Sequence, residues 1–281
     1  MKLRVLGCWG GELGARRTTC FLVDDRLAVD AGALTASLSM EELLRVDDIL
    51  LTHAHFDHVK DVPLLADLVA SHRDRPVVVH GSARCVRTLR EDVFNGRLWP
   101  DFTRIPRASR PALAIRPFPA RRPFRIGRYS VLPVPVAHQV ESVGFLISDG
   151  GGTVAISGDT GPTTGFWREV NAAADLRAIL VETSFPTRLQ PIADASGHLT
   201  PGTLVGELAK LERDGIPIFL YHLKPAFEVE LRRELAALRR RGVRILRMGD
   251  EIDLSQAVKG RPRRAQVERA SRWSGSRRRR S

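Results

Sequence analysis

The stretch Leu50-Leu51-Thr52-His53-Ala54-His55-Phe56-Asp57-His58 constrains this chain more than any other. It sets three imidazoles and a carboxylate within six residues, directly after the apolar run Ile49-Leu50-Leu51, which reads as a buried strand entering a loop. Neutral imidazole and carboxylate are donors that suit zinc, iron or manganese, and four of them this close do not fit comfortably around one ion. Two ions side by side resolve the crowding. His53 and His55, alternate residues of an extended segment, point the same way and can grip one ion. Asp57 and His58, turning back at the start of a helix, can grip a second. The bland alternative is a solvated turn rich in histidine, but three of the chain's eight histidines fall in this one hexapeptide.

Composition narrows the setting. With 281 residues and 43% hydrophobic content, the chain can bury a full core, as one large domain or two small ones. No apolar run reaches the roughly 20 residues needed to span a bilayer. Met1 to Cys8 lacks the apolar region of about 7–15 residues that a signal peptide carries, and reads as a first strand. Three cysteines, Cys8, Cys20 and Cys85, form no even framework, which points to a reducing, cytoplasmic compartment. The net charge of +12 is concentrated at one end: residues 258–281 carry ten Lys or Arg against Glu268 alone, a net of +9 that leaves +3 for residues 1–257. That segment is too poor in apolar residues to fold alone. The expected organisation is therefore one domain over 1–257 and a disordered basic tail over 258–281. By charge alone the tail can touch nucleic acid, polyphosphate or anionic lipid.

In order, the glycines Gly7, Gly10, Gly11 and Gly14 do not match a dinucleotide fingerprint and read as a loop between two short strands. Leu27 to Gly32 is a strand ending in a carboxylate and a glycine turn. Ser39 caps a helix that carries Glu41 and Glu42 in its first turn. Val62, Leu65, Val69 and His72 fall at helical spacing, which puts His72 on or beside an apolar face in a structural role. His80, at the end of the strand Pro76 to Gly81, reads as a satisfied core or loop histidine. The helix Ser82 to Val93, a connection rich in Pro and Arg, and short strands at Tyr129–Val136, 142–148 and 153–157 follow. A second strand-and-helix half begins near Phe124. Two such halves imply two sheets face to face with helices outside.

Further donors stand where strands end: His138 after Val134 to Ala137, Asp159 after Val154 to Gly158, Glu182 after Ala178 to Val181, His222 after Ile218 to Tyr221. Singly each is a weak signal. Together with the first cluster they form a set, with His53, His55 and His138 on one ion, Asp57, His58 and His222 on the other, and Asp159 bridging.

The pattern His53-x-His55-x-Asp57-His58, then His138, Asp159 and His222, resembles the metallo-β-lactamase superfamily. The resemblance implies an α/β, four-layer αββα sandwich with a dinuclear site between its sheets. The contexts Ser157 to Gly161, Glu182 to Pro186, Gly197 to Pro201 and His222 to Pro225 are similar to those of class II cyclic-nucleotide phosphodiesterases. The likeness runs from about Met1 to Leu254.

No serine, cysteine or threonine stands beside a general base in a nucleophile setting, so the expected attacking group is water activated between two divalent ions, zinc first, with manganese or iron as alternatives. His198, ahead of the helix-opening pair Thr200-Pro201, is the expected proton donor to the leaving alkoxide. Glu182 would fix its tautomer. Asp57, His198 and Glu182 are thus the candidate catalytic residues, and a small phosphodiester, cyclic AMP or a similar nucleotide, is the expected substrate. A second copy of the chain is an expected partner. The same Glu and His placement is similar to that of transfer-RNA 3′-processing endonucleases, so an RNA phosphodiesterase stays open. So do lactone or thioester hydrolysis and a non-catalytic nucleic-acid-binding protein.

Overall fold

Strands in this chain are short apolar runs closed by polar or glycine turns, and a computed structural model describing residues 1–238 and 242–255 pairs them into two seven-stranded sheets. The first runs, in spatial order, Glu251–Asp253, Lys2–Gly7, Cys20–Val23, Leu27–Val29, Asp48–Leu50, Val77–Gly81, Leu113–Pro117. The second runs Val243–Ile245, Ile218–Tyr221, Leu176–Glu182, Thr153–Ile156, Val143–Ser148, Tyr129–Pro135, Phe124–Ile126. Each sheet is mixed. One end is an antiparallel meander and the other is parallel, joined by helical crossovers.

Alternation along the strands decides what each side covers. In the first sheet Val5, Phe21, Val23 and Val29 turn inward onto Phe145, Ile147, Leu180 and Tyr221 of the second. Leu22, Ala28 and Ile49 turn outward beneath the helices Asp61–Val69 and Ala83–Thr88. The outer face of the second sheet is covered by Gly165–Ala172, Pro201–Ala209 and Glu228–Ala237. Phe21 and Tyr221, both fully buried, meet edge to face across the two sheets at 5.1 Å between ring centres. Each side chain of this kind contributes about 1.5–3 kcal/mol by leaving water. The four-layer αββα arrangement expected from the sequence is the one observed, and the second sheet begins at Phe124 as read.

Two helix starts follow the sequence closely. Ser39 accepts from the Glu42 amide while the Glu42 side chain accepts from the Ser39 amide, a reciprocal box opening Met40–Leu43. Thr200 does the same with Thr203 ahead of Pro201–Ala209. His72 departs from expectation. The helix Asp61–Val69 stops three residues short of it, so His72 leaves the apolar face and is exposed, bonded to Ser71. His80 bonds Asp48 at 2.8 Å and has a structural partner, as read. All three cysteines are buried free thiols. Among the described residues no helix is long and apolar enough to cross a membrane. The basic tail lies outside the described residues, apart from the sequence facts given above.

Candidate metal centre

Parallel strands deliver their following loops to the same end of a sheet, and that is how residues far apart in sequence meet here. In the first sheet Val29 pairs with Leu50, so Asp30 and Thr52 emerge side by side. In the second, Ile156 pairs with Leu180 and Glu182 with Tyr221, which brings Asp159, Glu182 and His222 to one rim. The two rims face each other. Candidate donor atoms of His53, His55 and His138 lie within 4.8 Å of one another, as do those of Asp57, His58 and His222, and those of His53, His58 and Asp159. Every sequence-predicted residue is therefore in one cluster. Asp159 stands at its centre: Oδ2 is 3.2 Å from His58 Nε2, 3.2 Å from His222 Nε2 and 3.8 Å from His53 Nε2. Asp57 Oδ2 lies 3.4 Å from His222 Nε2.

The far side of each ring decides what the near side can do. Thr52 Oγ1 spends its proton on Asp30, so His53 Nδ1–H donates to that hydroxyl oxygen at 3.0 Å. His58 Nδ1–H donates to Asp30 Oδ2 at 2.7 Å, and His138 Nδ1–H to the Gly197 carbonyl at 2.9 Å. Ser184 Oγ, donating to Glu182 Oε2, accepts from His222 Nδ1 at 2.9 Å. Four imidazoles are thus locked with Nδ1 protonated and a lone pair on Nε2 aimed inward, the tautomer a metal requires. His55 approaches with Nδ1, 3.1 Å from His138 Nε2. His53 Nε2, His222 Nε2 and Asp159 Oδ1 are buried with no hydrogen-bond partner, a costly arrangement for polar atoms unless a cation sits among them. The donor set and these orphaned atoms fit divalent metal.

Electrostatics agree with neutral ligands at most positions. Burial, helped by the charge of His58, holds His53 well below the usual imidazole range, and burial lowers His55 and His222. His58 goes the other way: burial opposes its charge, but Asp159 and Asp30 together raise it well above that range. Burial would raise Asp159, yet His222 and His58 hold it well below the carboxylate range.

Among the described residues, two of the five non-glycine positions with left-handed φ lie here. Asp30 and His222 both adopt left-handed φ, +58° and +67°, a cost on the order of 1 kcal/mol each. His222 is held there by its amide bond to the Cys8 carbonyl at 2.7 Å. Gly10 lies so close that an added Cβ would stand 2.5 Å from the His222 carbonyl oxygen and 2.8 Å from its ring. The glycine loop is thus a backing plate for His222. Gly197, in the left-handed region at φ +68°, ends the helix Gln190–Ser196, and the next residue, His198, returns its amide to Ala193. His198 therefore sits between two helix ends, with Nδ1 2.8 Å from Glu182 Oε1 and its ring stacked on His222 at 5.3 Å. Glu182 is fully buried and also accepts from the Thr160 and Leu199 amides and from Ser184. Burial works against a charged His198, but Glu182 outweighs it and raises the imidazole above its ordinary value.

Sequence reading did not single out Asp30, Thr52 or Ser184, the groups that orient the candidate ligands. A carboxylate closing the strand at Leu27–Val29 was the available signal for Asp30, the same one that marked Asp159 and Glu182.

A family model described as the beta-lactamase superfamily domain matches residues 25–218, most of the chain and all but one of the clustered residues. The chain belongs to that superfamily. Among proteins similar to this superfamily member, a probable 3′,5′-cyclic-nucleotide phosphodiesterase of Yersinia pestis is 29% identical over 210 residues, covering 65% of this chain and 58% of that protein. A 3′,5′-cyclic-nucleotide phosphodiesterase of Aliivibrio fischeri is 29% identical over 204 residues, covering 60% and 54%. The chain thus spans little more than half the length of these relatives. The crystal structure of unliganded yeast PDE1 superposes with a TM-score of 0.74 at 20% identity, covering 89% of this chain and 98% of that one, a likeness of fold.

Proposed function

We propose that this chain is a metal-dependent phosphodiesterase that opens the ring of a 3′,5′-cyclic nucleotide to give the 5′-monophosphate. The observation that carries the phosphodiesterase reading is the His198–Glu182 pair standing directly beside the convergent imidazoles. Two divalent ions, zinc by preference and manganese or iron as substitutes, would be held by His53, His55 and His138 and by Asp57, His58 and His222, with Asp159 shared. When bound, such a pair supplies Lewis acidity to the phosphoryl oxygens and to the attacking water.

The protein's own groups account for the rest. Ring opening adds water to phosphorus, breaks the bond to the 3′ oxygen and leaves an alkoxide that needs a proton. His198 has Nδ1 committed to Glu182, so Nε2–H is the proton it can give. Glu182 favours the imidazolium before transfer and holds the tautomer that remains after it. Asp57, a charged carboxylate at the half-exposed mouth, completes the second ligand group. The relatives named as cyclic-nucleotide phosphodiesterases support the substrate class.

The test is turnover of cyclic AMP, bis(p-nitrophenyl) phosphate and a 3′-extended transfer RNA by metal-reconstituted protein, with and without residues 258–281. Release of 5′-AMP independent of the tail is the expected result. RNA cleavage that collapses without the tail, with cyclic AMP untouched, would replace this reading with the RNA one.

A further inference from the structure

We propose that Lys224 is the residue that receives the negative charge of the substrate's phosphate, an assignment that rests on the phosphodiesterase reading. Lys224 stands two residues beyond His222 and is half-buried. Its Nζ donates to the Gly10 carbonyl at 2.7 Å and lies 5.8 Å from the centre of the Phe185 ring. Phe185 in turn meets His198 edge to face at 5.8 Å, and Gly10 presses on the His222 ring. The ammonium is therefore fixed between the proposed proton donor and the loop that backs a proposed ligand.

Its surroundings are unusual for a lysine. The half-buried Lys60 is paired with Glu12 and Asp61, and Lys210 with Glu207. Among the described residues no carboxylate pairs with Lys224; the Gly10 carbonyl is its polar contact. An ammonium has three donors, and removing it from water without an anion is unfavourable. Two donors remain for a ligand. The charge of Asp57 and Asp159 is the part the proposed ions would offset, which leaves the ammonium free for the substrate. Lys224 is the side chain placed to take a non-bridging phosphate oxygen through a charge-assisted bond.

The competing role is a plain tether, with Lys224 pinning the Gly10 loop. Lys224→Met and Lys224→Arg in the full, metal-loaded chain separate the two. The expected result for Lys224→Met is a rise of about tenfold in KM for bis(p-nitrophenyl) phosphate with kcat within about threefold, and a matching loss of calorimetric affinity for adenosine 5′-monophosphate. Lys224→Arg should recover most of both. Unchanged KM and affinity would overturn the assignment. So would a loss shared equally by the neutral ester p-nitrophenyl acetate together with a lower melting temperature, which is the tether's signature. If the wild-type chain binds adenosine 5′-monophosphate through Lys224 yet turns over no phosphodiester, the phosphodiesterase reading fails and the lysine assignment stands. If it binds no monophosphate at all, the lysine assignment falls.

Discussion

The two halves of the cluster are built differently. His53 rests on a hydroxyl that itself rests on Asp30, His55 on helix geometry and His138 on a backbone carbonyl, and the His55 and His138 rings are half-exposed. His58 and His222 are fully buried and both rest on a carboxylate, His58 directly on Asp30 and His222 through Ser184 on Glu182. An acceptor behind an imidazole fixes its ring and makes it a stronger donor, and a charged carboxylate does so more than a neutral carbonyl. The buried half should therefore hold its ion more tightly, and the open half should be where exchange occurs.

The largest effect should come from the one residue both halves share. Asp159→Ala is expected to lose metal from both positions by elemental analysis; a fully loaded variant would remove Asp159 from the centre of the comparison. His198→Ala should touch neither half. Both ions stay while kcat falls by about 10²–10⁴, the usual contribution of a positioned proton donor. Asp30→Asn, which touches His58 directly and His53 through Thr52, should weaken the ion at His58 by about 10–100-fold in a competitive chelator titration and the ion at His53 by less. Thr52→Val, which removes the hydroxyl between His53 and Asp30, should weaken mainly the ion at His53. Equal losses at the two ions in Asp30→Asn would break the distinction between a direct and a relayed carboxylate. The smallest effect is a pH shift. His198 is held above its ordinary imidazole value, so the acid form persists to higher pH and kcat/KM declines only as pH rises through that raised value. Glu182→Gln removes the carboxylate that raises it, and the alkaline limb should move to lower pH.

The candidate ligands were legible because metal sites recruit a narrow set of residue types and place them at strand ends, as His138, Asp159 and His222 illustrate. What stood behind them was not. Asp30 reaches His58 only because Leu27–Val29 pairs in parallel with Asp48–Leu50, a register that no local pattern states. Ser184 is one hydroxyl among many until Glu182 and His222 close around it. Gly10 reads as an ordinary loop glycine because the ring that requires it is His222, more than two hundred residues away in sequence. His72 failed for the opposite reason. Its spacing was helical, but the helix ended first, and periodicity carries no information past a terminus.

The strand Lys2–Gly7 lies between Cys20–Val23 and Glu251–Asp253, and the Cys8 carbonyl just beyond it holds the His222 amide. During synthesis, His53, His55 and His58 leave the ribosome long before Asp159 and His222 exist. The strand that completes their sheet, Glu251–Asp253, is the last of the described strands to be made. An ion captured early would meet only part of its cage, so secure loading belongs after His222 has been made and the two sheets have met.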